Sequence, residues 1–213
     1  MRKLAIVFDW DFTLGPGTWN YVQEKYDVTA NVKKNYRLWK AGELTLEDWA
    51  EENLEDLRLA GYTDEAAATF TDYEPLPGAE ELLEKVKERN IYTAVASIGF
   101  TPLVERCSNE LGIDEIYSMK FDINKEKGEK VEEMMVTERK AEIVEYFQND
   151  GYTVVFVGDG DSDIPGFKAA DVAVLIMNPK FKHELNTARE ICEYEFENLT
   201  DFADQFEYFI ENV

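Results

Sequence analysis

Residues 3–14, KLAIVFDWDFTL, decide the fold. Their apolar run, residues 4–8, is long enough for a buried strand and too short for a typical helix. Asp9 and Asp11 follow at once, and residues 15–17 (GPG) are turn formers. Parallel sheets bind ligands at the carboxyl ends of their strands. The stretch therefore predicts a strand that opens into a site, the alternative being a solvated, aspartate-rich turn.

Two acids as close as Asp9 and Asp11 repel each other, and keeping both ionised is costly without a nearby cation. Mg²⁺ prefers carboxylate oxygens, water and substrate phosphate as ligands. Polar residues also end two later candidate strands, Ser97 the first of them and Asp159 with Asp163 the second. Because the carboxyl ends of parallel strands share one edge, we expect these side chains to converge with the first pair.

The rest of the chain divides into a helical part and an alternating part. Residues 15–77 indicate helices and are too long for a simple connecting loop, so we interpret them as an inserted small helical cap. From residue 78 onward strands and helices alternate, with a last strand expected at residues 191–194. This pattern predicts an α/β fold: a Rossmann-like, mainly parallel sheet with helices on both faces. The predicted core domain is then 1–14 with 78–213.

The composition restricts the classes of partner that this protein can bind. The net charge of −23 over 213 residues argues against nucleic acid and anionic membrane surfaces. No apolar run approaches the ~20 residues that span a membrane. Cys107 and Cys192 lie far apart, which suggests neither a disulfide framework nor a cysteine metal site, and together these features favour a cytoplasmic protein. The oligomeric state is not predicted.

Four short motifs resemble, in order and over nearly the whole chain, those of the haloacid dehalogenase superfamily of phosphohydrolases. The first is DWDFT at residues 9–13, and the fourth is GDG at residues 158–160 together with Asp163. Ser97 is similar to the second motif and Lys140 to the third. Taken alone, Lys140 could also be a solvated helix lysine.

Within the superfamily, the cap position and residues 75–100 most resemble the phosphoserine phosphatase-like subgroup. That subgroup has a glutamate, which reads the substrate amine, where this chain has Thr18. Its carboxylate-binding arginine falls near Asn53, and asparagine cannot supply a bidentate clamp. Ile98 replaces a glycine, and Ser162 replaces an asparagine. The departures at Thr18 and Asn53 argue against phosphoserine as the substrate.

The resemblance implies a reaction through an aspartyl-phosphate. It implies Asp9 as the nucleophile and Asp11 as the general acid and base. It implies Mg²⁺ bound by the Asp9 carboxylate, the Asp11 backbone carbonyl and Asp159, with Asp163 in the second shell and Asp161 as a weaker candidate. The phosphoryl oxygens would be held by Thr13, Ser97, Ile98 and Lys140.

The sequence thus predicts a Mg²⁺-dependent phosphatase for a small phosphorylated metabolite. A phosphotransferase on the same intermediate and a catalytically weak, metal-binding or phosphate-binding regulatory protein are the alternatives. In the cap, Lys33, Arg37 and Lys40 share one helical face, which either attracts an anionic substrate or is ordinary solvated surface. Cap aromatics such as Trp19 and Trp49 either form the cap core or bind a cationic group. We expect His183, the single histidine, on the surface.

Overall fold

The computed structural model describes residues 3–177 and 186–213, so His183 lies outside the described residues. The strands are β1 (Lys3–Phe8), β2 (Tyr92–Ala96), β3 (Glu115–Tyr117), β4 (Lys120–Phe121), β5 (Val131–Glu133), β6 (Tyr152–Gly158), β7 (Val172–Ile176) and β8 (Tyr194–Phe196). Across the described residues six of them form one sheet in the order β3-β2-β1-β6-β7-β8, and each neighbouring pair is parallel. Strands β4 and β5 pair separately and antiparallel.

The α-helices run between and around these strands. They are α1 (Thr18–Lys25), α2 (Thr29–Lys40), α3 (Leu46–Leu59), α4 (Ala79–Glu88), α5 (Thr101–Leu111), α6 (Thr137–Asn149), α7 (Ile164–Ala169), α8 (Asn186–Ile191) and α9 (Leu199–Ile210). Short 3-10 helices occupy Asp64–Thr69 and Asp161–Asp163. Within residues 3–177 and 186–213 no helix is both long and apolar enough to cross a membrane.

The centre of the sheet is buried on both faces. Four successive residues of β1, from Ala5 to Phe8, are each at most 1 % exposed. Successive side chains of a strand point to opposite faces, so helices must cover both sides. Helix α4 packs against α9, and α6 packs against α7. The predicted Rossmann-like α/β architecture is confirmed.

One predicted element is displaced. The strand expected at residues 191–194 is wrong, because α8 ends at Ile191 and β8 begins at Tyr194. The Cys192 amide still donates to the Ala188 carbonyl at 2.9 Å, in the helical pattern. A short apolar run does not by itself distinguish a helix end from a strand start, which explains the shift.

Residues 15–77 contain α1, α2 and α3 and contribute no strand to the main sheet. Helix α3 begins at a capping box, in which the Thr45 hydroxyl accepts from the Asp48 amide and the Asp48 carboxylate accepts from the Thr45 amide, both at 3.0 Å. The two ends of this segment lie side by side, because the Leu76 amide donates to the Leu14 carbonyl at 2.8 Å. This arrangement suits an inserted cap, and the boundaries at 15 and 77 stay a prediction.

A buried carboxylate joins helix α3 to the β4–β5 hairpin. Glu51 is 7 % exposed, and its oxygens accept from the backbone amides of Val131 at 2.6 Å and Gly128 at 2.8 Å. Beside it, Lys127 pairs with Glu52 at 2.6 Å. Glu51 therefore connects α3 to the backbone of this hairpin through two hydrogen bonds.

We expect Glu51→Ala to lower the free energy of unfolding by about 2–3 kcal/mol, because it removes charge-assisted bonds from two backbone amides. Chemical denaturation measures the change. Glu47→Ala is the matched control, since Glu47 is exposed on the same helix, and it should stay within ~0.5–1 kcal/mol of the wild type. Equal effects of the two substitutions would contradict a specific role for Glu51.

Candidate active site

Asp9 begins the site directly after β1. Its amide donates to the Val157 carbonyl at 2.8 Å, which continues the β1–β6 ladder and fixes the backbone. Its side chain is buried, and Oδ1 lies 3.0 Å from Nζ of Lys140. Lys140 is 0 % exposed in α6 and donates to Oδ1 of Asp163 at 2.6 Å. The structure therefore places one buried lysine between two buried carboxylates.

Asp163 anchors the loop that follows β6. Its Oδ2 accepts from the backbone amides of Asp159 at 2.9 Å and Gly160 at 3.1 Å. A Cβ at Gly158 would lie 2.5 Å from Cγ of Asp163, so only glycine allows this close approach. Asp161, the weaker candidate in this motif, is exposed. Asp163 is accordingly the residue that orients Lys140.

A cluster of buried acids at this edge of the sheet fits a divalent cation. Asp9, Asp159 and Asp163 each present a carboxylate oxygen, and these atoms lie within 4.8 Å of one another. Burial raises the pKa of Asp9 to about 7, although Lys140 opposes the shift. Lys140 alone therefore does not balance the negative charge of these carboxylates. Hard divalent cations prefer a site whose ligands are all oxygen atoms, as they are here.

Asp11 is held by Thr18, the first residue of α1. Its Oδ1 accepts from the Thr18 amide at 2.9 Å, and its Oδ2 accepts from the Thr18 hydroxyl at 3.1 Å. Burial raises the pKa of Asp11 to about 6, while the bonds from Thr18 lower it. A carboxyl group with such a pKa can both give and accept a proton near neutral pH.

Ser97 follows β2 and faces the same point. Its buried hydroxyl accepts from the Gly99 amide at 3.0 Å. A Cβ at Gly99 would lie 2.8 Å from the Thr18 hydroxyl oxygen and 3.0 Å from both Oδ1 of Asp11 and Oγ of Ser97. Gly99 therefore lies where Asp11, Ser97 and Thr18 of α1 meet. The sequence contains only one signal for this role of Gly99, its place two residues after Ser97.

Thr13 and Ile98 are less clearly placed for a phosphate. Thr13 is 0 % exposed, and its hydroxyl forms no hydrogen bond with the described part of the chain. The Ile98 carbonyl accepts from Nε1 of Trp19 at 3.0 Å, which ties α1 to the loop after β2. Between Asp11 and Thr13, Phe12 has a φ of +66°, a conformation that non-glycine residues rarely adopt. The role of Thr13 and Ile98 in binding phosphate stays a prediction.

The structure brings together some of the aromatic and basic residues that the sequence analysis places in the cap. Trp19 and Trp49 are buried with ring centroids 5.1 Å apart, as in a cap core. Lys33, Arg37 and Lys40 are exposed on α2. The functional interpretations of the rings and of the basic face both stay predictions.

Comparison with known proteins agrees with this geometry. Residues 4–171 match the haloacid dehalogenase-like hydrolases. The chain belongs to this family. It is 29 % identical over 210 residues to a phosphoserine phosphatase of Methanocaldococcus jannaschii, covering 91 % of this chain and 98 % of that one. It is also 33 % identical over 99 residues to a zinc-exporting P-type ATPase of Mycobacterium marinum, covering 46 % of this chain and 12 % of the relative.

Solved structures share the fold. A substrate-bound phosphoserine phosphatase complex superposes with a TM-score of 0.71 at 24 % identity, over 98 % of this chain and 99 % of that chain. A haloacid dehalogenase family hydrolase from Salmonella enterica gives 0.69 at 15 % identity, over 92 % and 68 % of the two chains. The prediction of a phosphatase-type hydrolase in the phosphoserine phosphatase-like subgroup of this superfamily is confirmed.

Proposed function

We propose that this protein is a Mg²⁺-dependent phosphatase that hydrolyses a small phosphorylated metabolite through an aspartyl-phosphate on Asp9. The observation that carries the proposal is the buried ion pair between Asp9 and Lys140, beside the carboxylate of Asp159. A nucleophilic carboxylate, a fixed cation and a metal-binding acid are the parts that phosphoryl transfer requires. We also propose a cytoplasmic location, supported by two free cysteines, Cys107 and Cys192.

The reaction uses the two aspartates in turn. A carboxylate oxygen of Asp9 attacks phosphorus, and the bond between phosphorus and the ester oxygen breaks. Asp11 gives its proton to the leaving oxygen, then takes a proton from the water that hydrolyses the aspartyl-phosphate. Lys140, held by Asp163, compensates negative charge at the reacting oxygens. Mg²⁺ held by Asp9, the Asp11 carbonyl and Asp159 would add positive charge at the phosphoryl group.

Phosphoserine is not the substrate in our proposal. The amide and hydroxyl of Thr18 both bind Asp11, and this position offers no carboxylate to a substrate amine. Asn53 is 0 % exposed, and its side-chain oxygen accepts from Nδ2 of Asn35 at 3.1 Å. A neutral amide in that place cannot form the two parallel charge-assisted bonds that arginine gives a carboxylate.

The test is phosphate release from a panel of phosphomonoesters: phosphoserine, phosphoglycolate, sugar phosphates, nucleotides and phosphocholine. We expect turnover that requires Mg²⁺, stops with EDTA and returns when Mg²⁺ is added in excess. We expect kcat/KM for phosphoserine to be at least ~10-fold below that of the best ester, which corresponds to about 1.4 kcal/mol. Phosphoserine as the preferred ester would overturn the substrate proposal and leave the reaction class standing.

The two alternatives give different results in the same assay. A phosphotransferase would pass the phosphoryl group to added alcohols, so that the new phosphoester appears at the expense of inorganic phosphate. A regulatory protein would bind Mg²⁺ by calorimetry and hydrolyse none of the esters. Either outcome would replace the hydrolase proposal.

A further inference from the structure

Thr18 occupies a junction of three parts of the site. It is the first residue of α1, in the cap, and it is 0 % exposed. Its amide and hydroxyl donate to the two oxygens of Asp11 at 2.9 Å and 3.1 Å, and its hydroxyl accepts from the Phe100 amide at 2.7 Å. One side chain thereby links the cap, the acid and the loop that carries Ser97.

The loop between Asp11 and Thr18 is held in a compact shape. The Phe12 amide donates to the Gly15 carbonyl at 2.6 Å. A Cβ at Gly17 would lie 2.6 Å from Cζ of Phe12, so the loop closes against this ring. Thr18 therefore meets Asp11 through a fixed backbone, and the contact does not depend on a freely rotating surface side chain.

We propose that Thr18 is a positioning residue that fixes the Asp11 carboxyl group against the Ser97 loop for proton transfer to the leaving oxygen. The proposal rests on the phosphatase reaction proposed above. A carboxylate has about four acceptor sites on its two oxygens, so the two bonds from Thr18 leave a site on each oxygen for the transferred proton. Binding both oxygens also stops rotation of the carboxyl group, which keeps the proton aimed at one place.

The step that depends on Thr18 is cleavage of the ester bond. As the Asp9 oxygen bonds to phosphorus, the ester oxygen leaves with the electron pair of the broken bond and takes the proton of Asp11. An alkoxide is a poor leaving group and needs this proton, whereas a nitrophenolate leaves without it. Misplacing Asp11 should therefore slow alkyl esters much more than aryl esters.

The experiment compares kcat/KM for the best alkyl ester of the panel and for 4-nitrophenyl phosphate, because kcat/KM includes only the steps up to release of the alcohol. For Thr18→Val we expect a loss of about 10–100-fold on the alkyl ester and less than ~3-fold on the aryl ester. Thr18→Ser keeps the hydroxyl and should stay within ~3-fold on both. Thr18→Ala repeats the test without the branched side chain, in case valine disturbs folding.

Thr93→Val is the matched control. The amide and hydroxyl of Thr93 both donate to Oδ2 of Asp114, at 2.9 Å and 2.8 Å, at the opposite end of β2 from Ser97. The Thr93→Val substitution removes a similar Thr–Asp hydrogen bond outside the site, so kcat/KM for both esters should remain near the wild-type values.

Equal losses on both esters, or no loss on either, would overturn the positioning role while the wild type's turnover keeps the phosphatase proposal. A wild type that hydrolyses no ester would overturn both.

Discussion

Asp9→Asn is expected to lower kcat for every phosphomonoester by about 10⁴-fold or more, because the amide oxygen is a poor nucleophile and cannot form the aspartyl-phosphate. Phosphate release and trapping of the phosphorylated enzyme both measure this loss. Asp161→Asn is the matched control, since Asp161 lies in the fourth motif but is exposed. It should retain most of the activity. Comparable losses in the two variants would contradict the assignment of the nucleophile.

The same substitution is not expected to destabilise the metal-free protein. Burial raises the pKa of Asp9 to about 7 from a usual value of 3.8. Between these two pKa values, the Asp9 carboxyl group is ionised in the unfolded chain but still protonated in the folded protein. The free energy of unfolding therefore decreases as the pH increases through this interval. Asparagine removes that penalty, so with EDTA at pH 7 the melting temperature of Asp9→Asn should equal or exceed that of the wild type. A clear decrease would show that the Lys140 pair outweighs the cost of burial.

Much of the fold was predictable because strong local patterns agree with the tertiary structure. The apolar run before Asp9 is β1, and the alternation after residue 78 becomes the parallel sheet. The Thr45–Asp48 capping box at the start of α3 is likewise a local pattern, because its two residues are three positions apart. Since acids at strand ends must meet at one edge of a parallel sheet, the grouping of Asp9 with Asp159 also followed from the sequence.

The sequence did not predict contacts that depend on loop geometry. In the sequence, Thr18 differs from the residue typical of the subgroup, and nothing local reveals that its amide and hydroxyl donate to Asp11. The bonds from the Gly128 and Val131 amides to Glu51 join segments 77 and 80 residues apart. Side-chain pairings of this kind are set by how the cap and the hairpin pack, and periodicity carries no information about them.

Lys140→Met is expected both to abolish turnover and to lower the free energy of unfolding by about 3–5 kcal/mol. Lys140 lies 3.0 Å from Asp9 and 2.6 Å from Asp163, and all three side chains are at most 4 % exposed. Removing the lysine leaves two buried carboxylates without their shared cation, which costs more than the pair contributes when intact. Denaturant titration in EDTA measures the loss without help from a bound metal.

A double-mutant cycle separates the ion pair from the loss of packing. Lys140→Met combined with Asp163→Asn removes one buried charge of each sign, so the combined loss should be smaller than the sum of the two single losses. Lys168→Met, at an exposed position on α7, controls for the change of residue type and should stay within ~0.5 kcal/mol. Strictly additive losses would mean that Lys140 and Asp163 act independently. The lysine would then contribute its charge to the site without being held there by Asp163.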